Sequence, residues 1–275
     1  RVGDTYPELI QAAVGVGLVG ARITLEELGT LGWYNGGLII TGVLSTIAFG
    51  LLMSRVLGLD RNLGILTGGA TAICGASAAI AISTILPRDD KSERELIFTI
   101  AGVTALSTLA MILYPVIIEV LGLDPHQAGI FLGGTIHDVA QVVGAGYSIS
   151  HDVGDYAVLT KMLRVAMLLP VVMALTIAVR HRIKTTDQPG RDPLLPNFLV
   201  GFVVLVILSS LGWIPATVGA AMNEVSHACL VIAISAVGLK TSLLDIKKVG
   251  HRAMVLLVTE AVFLVGFVLI LLKIH

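Results

Sequence analysis

The sequence predicts an all-α polytopic membrane protein built from inverted repeats, with two opposed hairpins of re-entrant or broken helices. Three observations carry that expectation. The chain is 55% hydrophobic and 13% charged, with a mean hydropathy of +0.92, where a soluble domain carries about 25% charged residues. The placement of Lys and Arg forces two apolar segments to begin and end on the same side of a bilayer. A motif near the start recurs near the end, in a position that gives it the opposite orientation. A net charge of −1 points to no nucleic-acid partner. Cys74 and Cys229 both lie in apolar segments, which speaks against a disulfide framework.

Nine apolar segments can be marked: A (7–31), B (34–55), C (62–86), D (95–121), E (126–149), F (156–180), G (196–213), H (216–239) and I (252–273). Most approach the ~20 residues that cross a hydrocarbon core. Arg55 and Arg61 place the B–C loop inside, and Arg88, Lys91 and Arg94 place the C–D loop inside as well. Segment C then returns to its own side, which a hairpin can do and a single spanning helix cannot. The D–E loop has no Lys or Arg, whereas Arg180, Arg182, Lys184 and Arg191 hold the F–G loop inside. Segment E must therefore start and end outside, as a second hairpin entering from the opposite face. Segments G, H and I run out, in and out, with Lys247, Lys248 and Arg252 inside between H and I.

The repeat relates "VGARITLEELGTLG" (19–32) to "VGLKTSLLDIKKVG" (237–250). Each copy is followed by one spanning segment, so the repeat elements are 7–55 and 216–273 within a single transmembrane domain, 1–275. A weaker echo relates "AICGASAAI" (72–80) to "TIHDVAQVV" (135–143). Inverted repeats whose discontinuous helices meet near the midplane are the architecture of secondary transporters. Segment G precedes H, so a counterpart is expected before A, and at least one helix is expected to be missing before residue 1.

Irregular backbone at membrane depth survives only where protein or a water-filled cavity satisfies it. The glycines of C and E, among them Gly75, Gly133 and Gly134, permit sharp turns or close helix packing. A turn would aim the N-terminus of a half-helix, with its unpaired N–H groups, at the protein centre, which suits an anion. Thr71, Ser77 and Thr135 would add hydroxyls there, and His137 and Gln141 would add polar groups from the second turn. Lys161 and Arg164 are three apart and share one helical face. Two readings of them stand: anion ligands, or cations that snorkel from the outer end of F. Arg22 and Lys240 match in the two repeat copies, as crossover charges or as interfacial anchors.

Intramembrane carboxylates are candidate proton carriers or cation ligands. Asp138 and Glu224 are the coupling-ion candidates, the latter beside Asn223 and on a helical face with His227. Glu260, isolated in "LLVTEAVFL" and matched by Gly42 in the repeat, reads as a weaker candidate at a subunit contact. No metal-ligand pattern such as H-E-x-x-H and no P-loop occurs. Their absence argues against an intramembrane metalloprotease and against a primary pump, and no catalytic residues, metal or cofactor are expected beyond Na+ or H+ as a coupling ion.

The motifs "ATAICGASAAIA", "GGTIHDVAQVVGAG", "KMLR" and "GLKTSL", in that order, resemble the YeiH-like family of bacterial inner-membrane proteins, usually described as sulfate exporters. The resemblance spans essentially the whole chain. It implies kinship with bile-acid symporters and cation–proton antiporters, a core of inverted repeats, a homodimer, and a multi-pass location in the bacterial inner membrane. The resulting expectation is a secondary transporter, an exporter of sulfate or an organic sulfonate or carboxylate, with the anion held near Ser77, His137, Lys161 and Arg164. The alternatives are a cation–proton antiporter using Asp138 and Glu224, and a channel or non-transporting sensor.

Overall fold

The computed structural model describes residues 32–87, 91–183 and 250–274, with short stretches between 204 and 228. Segment A, most of G and H, the residues Arg22, Lys240, Asn223 and His227, and both repeat copies apart from their last glycines lie outside the described residues. The long described elements are all helical: α1 (Gly32–Val56), α2 (Arg61–Ala72), α3 (Ala76–Ser83), α4 (Ser92–Leu121), α5 (Pro125–Thr135), α6 (Val139–Ile149), α7 (His151–Ala166), α8 (Leu168–Ile183) and α9 (His251–Ile274).

Four stretches among them are long and apolar enough to cross a membrane: Tyr34–Val56, Ser92–Leu121, His151–Val179 and His251–Lys273. Their outward faces carry large apolar side chains, such as Leu44 and Leu52 on α1, Ile112, Val116 and Val120 on α4, and Val262 and Ile270 on α9. A bilayer accepts such faces without cost, whereas water penalises contiguous apolar area. This is an all-α polytopic membrane protein.

Segments C and E are each broken in the middle. In the first hairpin Asp60 caps α2 by accepting from Asn62 N at 2.8 Å, and the helix stops at Ala72. The turn follows at Ile73–Gly75, where Gly75 has φ +66°, a backbone that favours glycine. Helix α3 then folds back, and Gly69, lacking a side chain, lets Ile82 lie directly on α2. In the second hairpin a capping box of Asp124 and Gln127 starts α5, with Pro125 in its first turn. The turn is Ile136–Asp138, and Asp138 caps α6 through Ala140 N and Gln141 N. Ser107 on α4 accepts from His137 N at 3.2 Å and Asp138 N at 3.1 Å, which supports this extended turn from outside.

The two hairpins enter from opposite ends of α1. Gly64 of α2 packs beside Ser54, near the C-terminal end of α1, while His126 at the start of α5 meets Asn35 at 3.2 Å near its N-terminal end. Helices α1 and α9 run antiparallel, with Tyr34 Oη donating to Leu271 O at 3.0 Å and Phe49 stacked on Phe263 at 4.3 Å between ring centroids.

Two sequence expectations need correction. Segment F begins at His151, not 156. Ser150 alone links α6 to α7, closing one helix and capping the next through Val153 N at 3.2 Å. The polar run "SHDVGDY" reads as loop by composition, yet Ser followed by acidic residues is a helix start. Gly133 and Gly134 do not form the turn either; both are inside α5. Gly133 lets α5 press against Ala157 and Thr160 of α7, so close packing is its role.

Candidate functional site

Helix α7 organises the centre. Its small residues face both halves of the second hairpin: Gly129 and Gly133 of α5 lie against Tyr156, Ala157 and Thr160, and Gly146 of α6 lies against Gly154. Such small-residue contacts let helices approach to backbone distance. One and two turns beyond Ala157 the same helix carries Lys161 and Arg164, 0% and 1% exposed. Because α7 starts five residues earlier than expected, both cations sit deep in the protein, and snorkelling from the helix end is excluded.

Their partners are carbonyls of both hairpin tips. Lys161 Nζ donates to Ile73 O and Ile136 O, each at 2.9 Å. Arg164 Nε donates to Ala72 O at 2.9 Å and Nη2 to Thr71 O at 2.8 Å. Its Nη1 donates to Gly133 O at 3.1 Å and Ile136 O at 3.0 Å. These acceptors close α2 and α5, whose final carbonyls have no partner within their own helix and carry the negative end of its dipole. Two side chains thus cap two half-helices from different hairpins. Among the described residues, Lys161 keeps one of its three N–H donors and Arg164 one of its five. Neither hydrogen-bonds to a carboxylate among the described residues.

The tips touch: a Cβ on Gly75 would lie 3.4 Å from that of His137. His137 is buried, and its Nδ1 has no hydrogen-bond partner among the described residues. Ser77 opens α3 with its hydroxyl 2.8 Å from Cys74 Sγ. Thr71, Ser77, His137, Lys161 and Arg164 are therefore brought to the crossing. Thr135 is turned back on its own helix, bonding Phe131 O. Gln141 reaches α4, donating to Thr108 Oγ1 at 2.9 Å, and its Oε1 has no partner among the described residues.

The carboxylates are distributed differently from expectation. Asp138 is exposed and spends its carboxylate on the first N–H groups of α6. Glu224 is helical and exposed. Glu260 is the buried one, 0% exposed, which overturns its placement at a subunit contact. Thr67 Oγ1 lies 2.8 Å from its Oε1 and Thr71 Oγ1 3.4 Å from its Oε2. Glu260 and Ser107 are the polar centres that sequence reasoning undervalued. A signal for the first was present, since Thr67 and Thr71 are four apart and give an apolar segment one hydroxyl face.

A polytopic helical membrane protein whose opposed hairpins meet on a third helix, their tips held by two buried cations, is the class that fold and site define. Within it, the chain belongs to the UPF0324 family of membrane proteins. The profile of the family described as "Conserved hypothetical protein 698" matches residues 7–257. A UPF0324 membrane protein of Chlorobaculum tepidum is 48% identical over 268 residues, covering 98% of this chain and 75% of the relative. The UPF0324 membrane protein TauZ of Paracoccus denitrificans is 50% identical over 258 residues, covering 94% and 76%. A third relative, from Rhizobium meliloti, is 47% identical over 257 residues, covering 93% and 74%. No solved structure matches the chain.

Proposed function

We propose that the protein is a secondary active transporter that exports a small oxyanion, sulfate or an organic sulfonate or carboxylate, across the bacterial inner membrane, coupled to H+ or Na+. The observation that carries this reading is the crossing itself. Helix breaks at membrane depth are costly unless protein or a water-filled cavity satisfies their backbone, and here two breaks meet with their carbonyls held by two buried cations. The charge of Lys161 and Arg164 is only partly offset by carbonyl dipoles, so the centre attracts an anion.

Among the described helices, two N-termini point at this centre and they are not equivalent. That of α6 already holds the Asp138 carboxylate, which repels a second anion. That of α3 begins at Gly75, and no side chain caps it. The anion's seat in this reading is the start of α3, with Ser77 and the unpaired edge of His137 beside it. Charge-assisted hydrogen bonds contribute about 1.5–3 kcal/mol each, so several donors are needed to replace the hydration of a doubly charged oxyanion.

Binding of sulfate, sulfonates and carboxylates to the purified full chain, followed by thermal shift and calorimetry, tests the reading. One oxyanion should stabilise the fold saturably, by about 2.7 kcal/mol at a hundredfold excess over its Kd. A protein with both Ser77→Ala and His137→Ala should lose that response. If no oxyanion stabilises the wild type, or the double variant responds equally, the reading is wrong. A response to Na+ alone that requires Asp138 would favour cation–proton exchange instead.

A further inference from the structure

We propose that the Glu260 carboxyl is a proton-exchange site whose two protonation states are both built into the hydrogen bonding of α2. The carboxyl lies midway along α9, a span of 23 apolar-rich residues, fully buried against α1 and α2. Carboxylates at that depth are costly unless paired and mark ion or proton pathways. Among the described residues it has no cationic partner, and its hydrogen-bond partners are the hydroxyls of Thr67 and Thr71.

The Thr67 hydroxyl is the informative group. Its Oγ1 lies 2.9 Å from Leu63 O and 2.8 Å from Glu260 Oε1. A hydroxyl has one hydrogen to give and two lone pairs to receive with, while Leu63 O can only accept. With Glu260 ionised, the hydroxyl hydrogen turns to the carboxylate. With Glu260 protonated, the carboxyl O–H donates to Thr67 Oγ1, and the threonine hydrogen rotates to Leu63 O. No heavy atom has to move between the two states, but only the protonated one places a hydrogen in both short contacts. A permanently ionised carboxylate would leave Thr67 Oγ1 and Leu63 O facing each other at 2.9 Å with no hydrogen between them.

Among the described residues, the neighbours of the carboxyl are neutral. From α1, Gly50 faces the carboxyl and its missing side chain gives Oε1 room, while Thr46 and Ser54 bond carbonyls of their own helix. Helix α4 meets α9 through Gly102 and Leu257, and α5 does so through Gly134 and Val268. The titratable side chains of these elements stand towards their ends or away from the carboxyl: Tyr34 on α1, Arg55, Asp60 and Arg61 about the α1–α2 turn, Glu93, Arg94, Glu95, Tyr114 and Glu119 on α4, His126 on α5, and His251, Arg252 and Lys273 on α9 itself. Among the described residues, a link to a cation runs through Thr71, whose hydroxyl touches Glu260 and whose carbonyl accepts from Arg164. A charge appearing on Glu260 is thereby felt at the tip of the first hairpin. Use of this proton to drive the anion rests on the transporter reading; the exchange itself does not.

Infrared difference spectra of the purified full chain, recorded between mildly acidic and mildly alkaline pH, test the proposal. A protonated-carboxyl band should appear and vanish with pH, be absent in Glu260→Gln, and change position in Thr67→Val, which keeps the carboxyl but removes the rotor. Absence of the band at every pH overturns the proposal, as does a band that survives in Glu260→Gln. For coupling, Glu260→Gln should retain anion-induced stabilisation and lose its pH dependence. An unaltered pH dependence removes the coupling role. If the wild type shows no anion response while the band behaves as stated, the transporter reading fails and the proton site stands.

Discussion

Gly133 and Gly134 are neighbours in one helix, and alanine at the two positions should have opposite effects. A Cβ on Gly133 would collide with the backbone carbonyl of Ala157 and lie 2.7 Å from Thr160 Cβ. Carbon atoms rest about 3.5–4.0 Å apart, so α5 would have to retreat from α7 by about 1 Å. A carbonyl cannot swing aside as a side chain can. The retreat also stretches the bonds from Arg164 Nη1 to Gly133 O and Ile136 O, now 3.1 and 3.0 Å. A Cβ on Gly134 would meet Ile39 at 3.5 Å and Val268 at 3.6 Å, ordinary contact. Alanine gains ~1 kcal/mol of helix propensity over glycine at either position. That gain cancels in the comparison and leaves the overpacking cost, about 1–3 kcal/mol, with Gly133→Ala the less stable. Unfolding midpoints of the two variants in one detergent measure the difference. Equal midpoints, or a higher one for Gly133→Ala, would show that α5 and α7 do not pack as described.

Removing the Arg164 guanidinium should open the crossing, since its carbonyl bonds contribute about 1.5–3 kcal/mol each and do not add independently. Arg164→Ala, and Arg164→Lys nearly as much because a lysine lacks the planar fork, should make buried Cys74 react with a membrane-permeant maleimide; an unchanged labelling rate would contradict the capping role. Gly75→Ala should cost about 1–3 kcal/mol, because the +66° φ at this turn is strained for a residue with a side chain, and the unfolding midpoint reads it. Asp138→Asn should keep the fold and the anion response, since asparagine caps a helix as well as aspartate, whereas Asp138→Ala should lose about 1 kcal/mol. Loss of ion-dependent stabilisation in a well-folded Asp138→Asn protein would return Asp138 to the coupling role.

What the sequence made legible follows from the range of the forces involved. The breaks in segments C and E were readable because loop charges report sidedness and because glycine beside polar residues reports irregular backbone. Lys161 and Arg164 were readable as a pair because three residues apart is a local relation. Their partners were not, since the carbonyls they hold belong to residues 25 to 93 positions away and any residue type offers a carbonyl. Glu260 was misjudged for a similar reason. Nothing near it in the chain is polar except Thr259, whose hydroxyl bonds its own helix, and its partners are 193 and 189 residues distant. The start of α7 was missed because composition alone does not distinguish a polar first turn from a loop.

The way α7 holds the crossing also has a mechanical consequence. Ile136 O receives both cations, Lys161 also holds Ile73 O, Arg164 also holds Thr71 O, Ala72 O and Gly133 O, and all these bonds originate on a single turn of α7. Neither tip can therefore slide without dragging the other, much as two planks joined by one pair of bolts share every displacement. In the transporter reading proposed above, motion that exposes the centre first to one side of the bilayer and then to the other has to carry both hairpins and α7 together as one rigid block. In that reading the sliding surface lies at the rim of the block, where helices meet through apolar contacts that can be exchanged, and mutations that stiffen the rim should slow turnover without touching the centre.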